Sequence, residues 1–311
     1  MNNTPKHLSI VIPLLNEIGN IPILYQSLIT VLEKITANYE IIFVDDGSKD
    51  GSFECINEIS KQNEKVLGIS LSRNFGHQIA LTAGIEHTSG EFVVTMDADM
   101  QHPAEIIIEL YKKQQEGFDI VNTIRTETAD SSAFKRISSN WFYKIINQLS
   151  DIHIEPAAAD FRLMNRKAVN AFLTIKEKDR FTRGLISWMG FKQVTIPYIA
   201  LSRFSGKSKY SIAKMFRFAA DGITSFSAKP LRVSFFAGLI VSLIGLMYAI
   251  YAIFTYLFHK TIPGWTSILV SILIIGGMQL ISIGIIGEYL ARVFNEAKNR
   301  PLYLVKEYTT K

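Results

Sequence analysis

The sequence predicts an α/β fold, a Rossmann-like sheet of mainly parallel strands, followed by interface helices and two transmembrane helices. Three observations carry that reading. From Leu8 to about Thr123, short β-branched runs alternate with polar or glycine-containing turns and helical stretches. Polar groups collect where those strands end, which is where ligands bind in open parallel sheets. Beyond Val233 come two long stretches without a charged residue.

Strands are expected at Leu8–Pro13, Glu40–Val44, Val66–Ser70, Glu91–Met96 and Asp119–Thr123, with helices at Ile23–Ile35, Ser52–Gln62 and Pro103–Glu116. The apolar run from Leu8 to Leu15 is interrupted by Pro13 and closed by Asn16 and Glu17 without a small-residue cleavage site, so it reads as a strand and not a signal peptide. Asn16-Glu17 follows the first strand, DDGSKDGS (Asp45 to Ser52) the second, RNFGHQ (Arg73 to Gln78) the third and DADMQ (Asp97 to Gln101) the fourth. One site fed by four loops accounts for all of them. Between Arg125 and Arg203 the pattern loosens around DFRLMNR (Asp160 to Arg166).

At 311 residues and 48% hydrophobic, the chain holds one sizeable domain and an appendage that meets lipid. Mean hydropathy is positive, at +0.17. A net charge of +5 suits an anionic partner such as phosphate or a membrane surface, and no nucleic-acid partner is assigned. The single cysteine, Cys55, excludes an intrachain disulfide and reads as a buried thiol; the six histidines lack zinc-site spacing. Val233–Phe258 and Ile268–Gly287 are each long enough for the roughly 20 residues that cross a bilayer core. Lys229 and Arg232 precede the first span, Arg292, Lys298 and Arg300 follow the second, and the loop between them offers only Lys260. Both termini are therefore expected on the cytoplasmic side. Ile212, Met215, Phe216, Ala219, Ile223 and Phe226 recur at helical spacing, with Lys214 and Arg217 elsewhere around the turn, as in a helix lying among lipid headgroups. The expected organisation is a catalytic domain over 1–205, amphipathic helices over 206–232, two spans within 233–290 joined by an external loop at 259–267, and a cytoplasmic tail over 291–311.

Asp97 and Asp99, at the end of the strand in VVTMDADMQHP, repel each other and cost desolvation unless a cation lies beside them. Mg²⁺ or Mn²⁺ accepts such oxygen ligands and shares them with substrate phosphates, so the pair is placed to hold a metal that neutralises a diphosphate. A bare D-x-D is weak; here it stands in register with a second acidic loop, Asp45-Asp46. No G-x-x-x-x-G-K-[ST] occurs, and no G-x-G-x-x-G follows the first strand. A nucleotide must be held differently.

VIPLLNE, FVDDGSKDGS, LSRNFGHQIALTAGIEHTSG, MDADMQHP, DFRLMNR, SRFSGKSKY and the closing GEYLARVFNEAKNRPLY together resemble the polyprenyl-phosphate glycosyltransferases of the GT-A fold, glycosyltransferase family 2. Within that group the chain is most similar to bactoprenol (undecaprenyl-phosphate) glucosyltransferases, with dolichyl-phosphate mannose synthases more distant. The resemblance implies that Pro13, Asn16, Glu17, Asp45, Asp46 and Ala98 surround the base and ribose of a nucleoside diphosphate sugar. It implies that Asp97, Asp99 and Gln101 bind ribose, metal and diphosphate, with Asp99 catalytic. Arg125, Arg136, Ser139 and Arg203, with Lys209, would clamp the phosphate of the lipid acceptor, since arginine matches phosphate in a bidentate fork. Lys135 competes with Arg136 for that role. The family places an acid at Asp160, near the acceptor, either as base or as orienting group; a cap on the following turn is the structural alternative.

The resemblance thus implies an inverting, metal-dependent transfer of one sugar, glucose from UDP-glucose, to undecaprenyl phosphate at the bacterial inner membrane. UDP-aminoarabinose, UDP-N-acetylglucosamine and GDP-mannose remain open as donors, as does a homo-oligomer. A processive synthase is disfavoured, because RFTRGLISWMG stands where that class has Q-x-x-R-W and two spans are too few for a polymer channel. A non-catalytic nucleotide-sugar sensor or flippase scaffold is the alternative of another class, and the intact Asp97, Asp99, Gln101 and Asp160 set argues against it.

Overall fold

The computed structural model describes residues 7–126, 158–201, 227–257 and 264–310. β1 (Leu8–Leu14) is buried at all seven positions, and such a strand reads as a continuous apolar run. Leu8, Ile10 and Ile12 share one core with α1 (Ile21–Leu32), while Val11 points to the other face of the sheet. α1 begins two residues before its expected start because Pro22 suits a first turn. β2 (Tyr39–Asp45), α2 (Ser52–Gln62), β3 (Val66–Leu71), β4 (Phe92–Thr95), α4 (Ile106–Gln114) and β5 (Ile120–Thr126) follow the expected order. Cys55 is only partly buried, packed against the core from α2.

α3 (His77–Glu86) fits the expected alternation of strand and helix, but the sequence pattern gives it no range. It is buried over six consecutive residues, Ala80 to Ile85, and so lacks the polar stripe that marks an amphipathic helix. It lies close on β1: a Cβ added to Gly84 would come within 2.3 Å of Val11. The residues between Arg125 and Arg203 also hold more structure than their pattern announces: β6 (Ala158–Asn165), α5 (Arg166–Thr174), α6 (Thr182–Trp188) and β7 (Gln193–Ile199).

The sheet has eight strands in the order β7-β5-β6-β4-β1-β2-β3-β8, where β8 is Val305–Tyr308. β1 pairs in parallel with β2 and β4, as β2 does with β3 and β5 with β7; β6 runs antiparallel between β4 and β5. The ends of β1, β2 and β4 and the start of α3 thus open onto one rim.

α7 (Lys229–Leu257) and α8 (Trp265–Ala297) are two helices long and apolar enough to cross a membrane, and their apolar windows are wholly exposed in the absence of lipid. They lie against each other, with Ser234 Oγ donating to Ser282 Oγ at 2.7 Å. At about 1.5 Å per residue, α8 is longer than the roughly 30 Å hydrocarbon core of a bilayer, so one end would project beyond such a core. That end is fastened to the sheet domain. The Lys178 amide donates to Glu296 Oε1 at 2.6 Å, and its ammonium donates to the carbonyls of Asn295 and Glu296 at 3.1 and 3.0 Å.

The segment after α8 does not leave as a tail. β8 adds antiparallel to the outer edge of β3. The Gly68 amide donates to Thr309 Oγ1 at 3.0 Å, and the Thr309 amide returns a bond to the Gly68 carbonyl at 2.9 Å. A Cβ on Gly68 would lie 2.5 Å from the Thr309 methyl, so glycine is what admits the threonine. Most of the expected amphipathic helix, residues 206–226, lies outside the described residues.

Candidate active site

The loop after β1 is locked to the loop after β2. Asn16, at φ 57°, donates its amide to Ser48 Oγ at 2.8 Å and accepts the Lys49 amide on Oδ1 at 2.9 Å. The Glu17 amide donates to Ser52 Oγ at 3.0 Å. Asp45 accepts the Ser48 amide at 3.0 Å. Asp46 is buried and accepts the backbone amides of Phe75 and Gly76 at 2.7 and 2.9 Å, which fixes the approach to α3. Burial raises its pKa, and those two bonds only partly offset the rise.

After β4, Met100 takes φ 64° and turns the chain so that the Gln101 amide donates to Asp99 Oδ1 at 3.1 Å. The Asp97 carboxylate lies 2.8 Å from His77 Nε2 at the start of α3. The Asp97 amide donates to His102 Nδ1 at 3.1 Å, which makes that nitrogen the unprotonated one. His102 is buried and stacked on Phe161 with centroids 4.9 Å apart; burial lowers its pKa and keeps the ring neutral. Burial alone would also lower His77, but the bond to Asp97 and the charges of Asp97 and Asp160 push it up to about 9.

Asp160 lies on β6, which rules out a cap on the following turn. Its Oδ1 accepts from Arg162 Nη2 at 3.0 Å and Arg183 Nε at 3.1 Å; its Oδ2 accepts from Arg183 Nη2 at 3.1 Å and Gln78 Nε2 at 3.3 Å. Burial alone would raise this carboxyl, but the charges of Arg183 and Arg162 outweigh it and hold the group well below the usual carboxylate range. Arg162 is itself 2% exposed, and burial lowers its pKa to about 10. A carboxylate so saturated is a poor proton acceptor.

These residues line two adjoining clefts. One, of 320 Å³, brings together Pro13, Glu17, Asp46, Asp97, Ala98 and Asp99. Asn16 and Asp45, assigned to the same ligand from sequence, do not line it; they brace its loops. The other, of 620 Å³, has Asp160 and Arg183 in its wall. His77 and Asp97 line both. Arg125 lines neither and donates to Gln101 Oε1 at 3.4 Å. Arg136, Ser139, Arg203 and Lys209 lie outside the described residues. Sequence reasoning placed the loop carrying His77 and Gln78 at the site but gave those side chains no role, and it quoted His102, Arg162 and Arg183 only within motifs. For His77 and His102 the usable signal was adjacency to a strand end. For the arginines only the fold reveals the pairing.

Among the described residues, no group of three or more histidine, cysteine, aspartate or glutamate side chains converges on a metal position. Asp97 and Asp99 nevertheless fit Mg²⁺ or Mn²⁺, which commonly takes one or two carboxylates and completes its shell with substrate phosphates. Of the two, Asp97 already meets His77, and Gln101 offers only a neutral oxygen that faces Arg125.

Residues 9–173 match the model of glycosyl transferase family 2, and residues 229–293 match that of the GtrB C-terminal hairpin. The chain is 43% identical over 300 residues to the uncharacterized glycosyltransferase YkcC of Bacillus subtilis, covering 96% of this chain and 93% of the relative. It is 40% identical over 301 residues to the bactoprenol glucosyl transferase of Shigella phage SfII, covering 96% and 97%. Among solved structures, the mannosyltransferase PcManGT of Pyrobaculum calidifontis, in complex with GDP-Man and Mn²⁺, aligns over 96% of this chain and 89% of its own at 14% identity and a TM-score of 0.46.

Proposed function

Since the chain belongs to glycosyltransferase family 2 and closes with a hairpin of two apolar helices, we propose that it transfers glucose from UDP-glucose to undecaprenyl phosphate at the cytoplasmic face of a bacterial inner membrane. The observation that carries this reading is the pair of clefts meeting at His77 and Asp97, one walled by the acidic loops and the other by the end of a membrane helix through Arg292. Full-length identity of about 40% to bactoprenol glucosyl transferases supports the choice of sugar and lipid.

The donor occupies the smaller cleft, with Glu17 and Asp46 toward the nucleoside and Asp97 and Asp99 toward ribose and diphosphate. Mg²⁺ or Mn²⁺ at Asp99, with Asp97 and Gln101 nearby, would neutralise charge on the departing UDP. A phosphate oxygen of the acceptor attacks C1 of glucose from the face opposite UDP. The new C1–O bond forms as the bond from C1 to the β-phosphate oxygen breaks, and the anomeric configuration inverts. A lipid monophosphate has a second pKa near 6, so its nucleophile is already ionised at neutral pH. No base is needed, and Asp160 orients Arg183 and Arg162 instead. Arg125, Arg136, Ser139, Arg203 and Lys209 are assigned to the acceptor phosphate.

Both termini are assigned to the cytoplasm; the return of β8 to the catalytic sheet supports this, because the two spans must then form a closed hairpin. A cysteine at Thr261 should label from outside intact spheroplasts, while tags at Asn2 and Lys311 stay protected; outside labelling of the Lys311 tag would mean that one span is misread.

Purified full-length protein in nanodiscs, given Mn²⁺, UDP-glucose and undecaprenyl phosphate, should release UDP and yield a lipid phosphate heavier by one hexose in the mass spectrum. A product only with UDP-aminoarabinose, UDP-N-acetylglucosamine or GDP-mannose would change the donor. Nucleotide binding without turnover on any donor would favour the sensor or scaffold.

A further inference from the structure

One buried histidine is tied to the site without lining it. His102 is 6% exposed and belongs to the wall of neither cleft, yet it closes the loop that carries Asp97, Asp99 and Gln101. The ladders that hold β4 to β1 and β6 stop at Thr95, and Met96 still donates its amide to the Val11 carbonyl at 3.1 Å. Asp97 carries the first amide beyond that pairing, and His102 Nδ1 accepts it at 3.1 Å. With Nδ1 accepting, the ring proton stands on Nε2, which lies 3.8 Å from Asp97 Oδ2. The other carboxylate oxygen, Oδ1, is 2.8 Å from His77 Nε2. Asp97 thus stands between two imidazoles, one lining the clefts and one buried. The buried ring is itself held: Phe161 of β6 stacks on it with centroids 4.9 Å apart, and Tyr198 of β7 meets it edge-on at 5.7 Å.

We propose that His102 is a positioning residue for the donor loop: through its hydrogen bond to the Asp97 amide it sets the Asp97 carboxylate, and with it the metal and UDP assigned to that loop. The proposal deepens the glucosyltransferase reading and depends on it for the identity of the nucleotide. Three features set this apart from packing alone. A phenyl ring would fill the same aromatic box at less desolvation cost than an imidazole, whose nitrogens need partners when buried. The Met100 turn, at φ 64°, and the Gln101 amide bond to Asp99 Oδ1 both lie inside the span that His102 closes, so releasing it loosens Asp97 and Asp99 together. The anchors of the ring stand on β6 and β7, whereas the loop leaves β4, so the place of the loop is set by strands other than its own.

The test uses detergent-solubilised full-length protein, thermal unfolding, and Mn²⁺ titrated in the presence of UDP with the free ion read by electron paramagnetic resonance. His102→Phe keeps a ring for the stack but no acceptor; His102→Asn keeps an acceptor, its Oδ1, at the place of Nδ1 but no ring. His102→Phe should therefore unfold near the wild-type temperature yet bind Mn²⁺ about tenfold more weakly. His102→Asn should unfold earlier and stay within about threefold of wild type for Mn²⁺. The KM for UDP-glucose should rise in His102→Phe alone, with the acceptor KM unchanged in both. A packing role predicts the reverse order. Wild-type Mn²⁺ affinity in His102→Phe would overturn the proposal, as would a folded His102→Asn that binds as weakly as His102→Phe, or a wild type that binds no Mn²⁺. If His102→Phe fails to fold, His102→Leu, also without an acceptor, is judged by the same criterion; if His102→Asn fails to fold, His102→Phe decides alone. The expected Mn²⁺ pattern in a protein that transfers no glucose would sink the glucosyltransferase reading and leave His102 its role; glucose transfer with Mn²⁺ affinity indifferent to His102→Phe would do the reverse.

Discussion

Asp46 and Asp160 are buried carboxylates on the rim of one sheet, and they are held by opposite means. Asp46 faces two neutral backbone amides, supplied by the loop that leads into α3. Asp160 faces two guanidiniums, one on its own strand and one on α6. The first arrangement leaves a net negative charge at the edge of the smaller cleft, raised in pKa and suited to hydroxyl donors or a cation. The second is internally neutralised and resists change in protonation. One wall of the site is therefore chemically responsive, and the other is fixed. That suits a reaction in which charge moves on the leaving diphosphate while the nucleophile arrives already ionised.

The contrast can be broken most severely at the responsive wall. Asp99→Asn should reduce kcat by at least 10³-fold with thermal stability unchanged, and chelation by EDTA should do the same to wild type. Near-normal turnover in either case would remove the metal from this wall.

At the fixed wall the expected loss is smaller in rate and larger in stability. Asp160→Asn leaves Arg162 and Arg183 facing each other with little compensation, at a cost of about 3 kcal/mol, while kcat falls about 10- to 100-fold and stays measurable. The pH dependence has a definite sign. Folding depresses the Asp160 pKa below the unfolded value of about 3.9, so its contribution to stability is complete above that pH and is lost as pH falls further. Thermal unfolding between pH 3 and pH 7 should show this acid-side loss in wild type and less of it in Asp160→Asn. The rate should rise through about pH 6 in both proteins, following the acceptor. Loss of that limb in Asp160→Asn would make the carboxylate a base and erase the contrast between the walls.

The smallest effect is expected at Asp46→Asn, where one of two amides loses its charged acceptor, at about 1 kcal/mol. That should raise the KM for UDP-glucose several-fold with little change in the acceptor KM. A change confined to the acceptor would mean that the two walls have been assigned the wrong way round.

The same contrast explains what could be read in advance. The responsive wall is built from residues close in sequence to strand ends, and β-branched runs mark those ends: β2, β3 and β5 were expected within one to three residues of their observed limits, and α2 to the residue. The fixed wall depends on pairings that no local pattern announces. Arg183 reaches Asp160 from 23 residues away in sequence, through a helix that follows a loosened pattern. α3 escaped delimitation because its stretch from Ala80 to Ile85 is wholly buried and leaves no polar stripe, and β8 because a four-residue strand beyond an apolar helix carries no period of its own. The aspartates were legible one by one. Their partners were not.

β8 is translated after both apolar helices, yet it pairs with a strand made long before them. Until the residues beyond both helices have been made, the nascent sheet carries an open edge along β3, with the notch at Gly68 waiting for Thr309. Such an edge is a template for wrong pairing and a natural client for chaperones. The sheet is therefore complete only once residues beyond both apolar helices have been made, so its last strand is also the last to be synthesised.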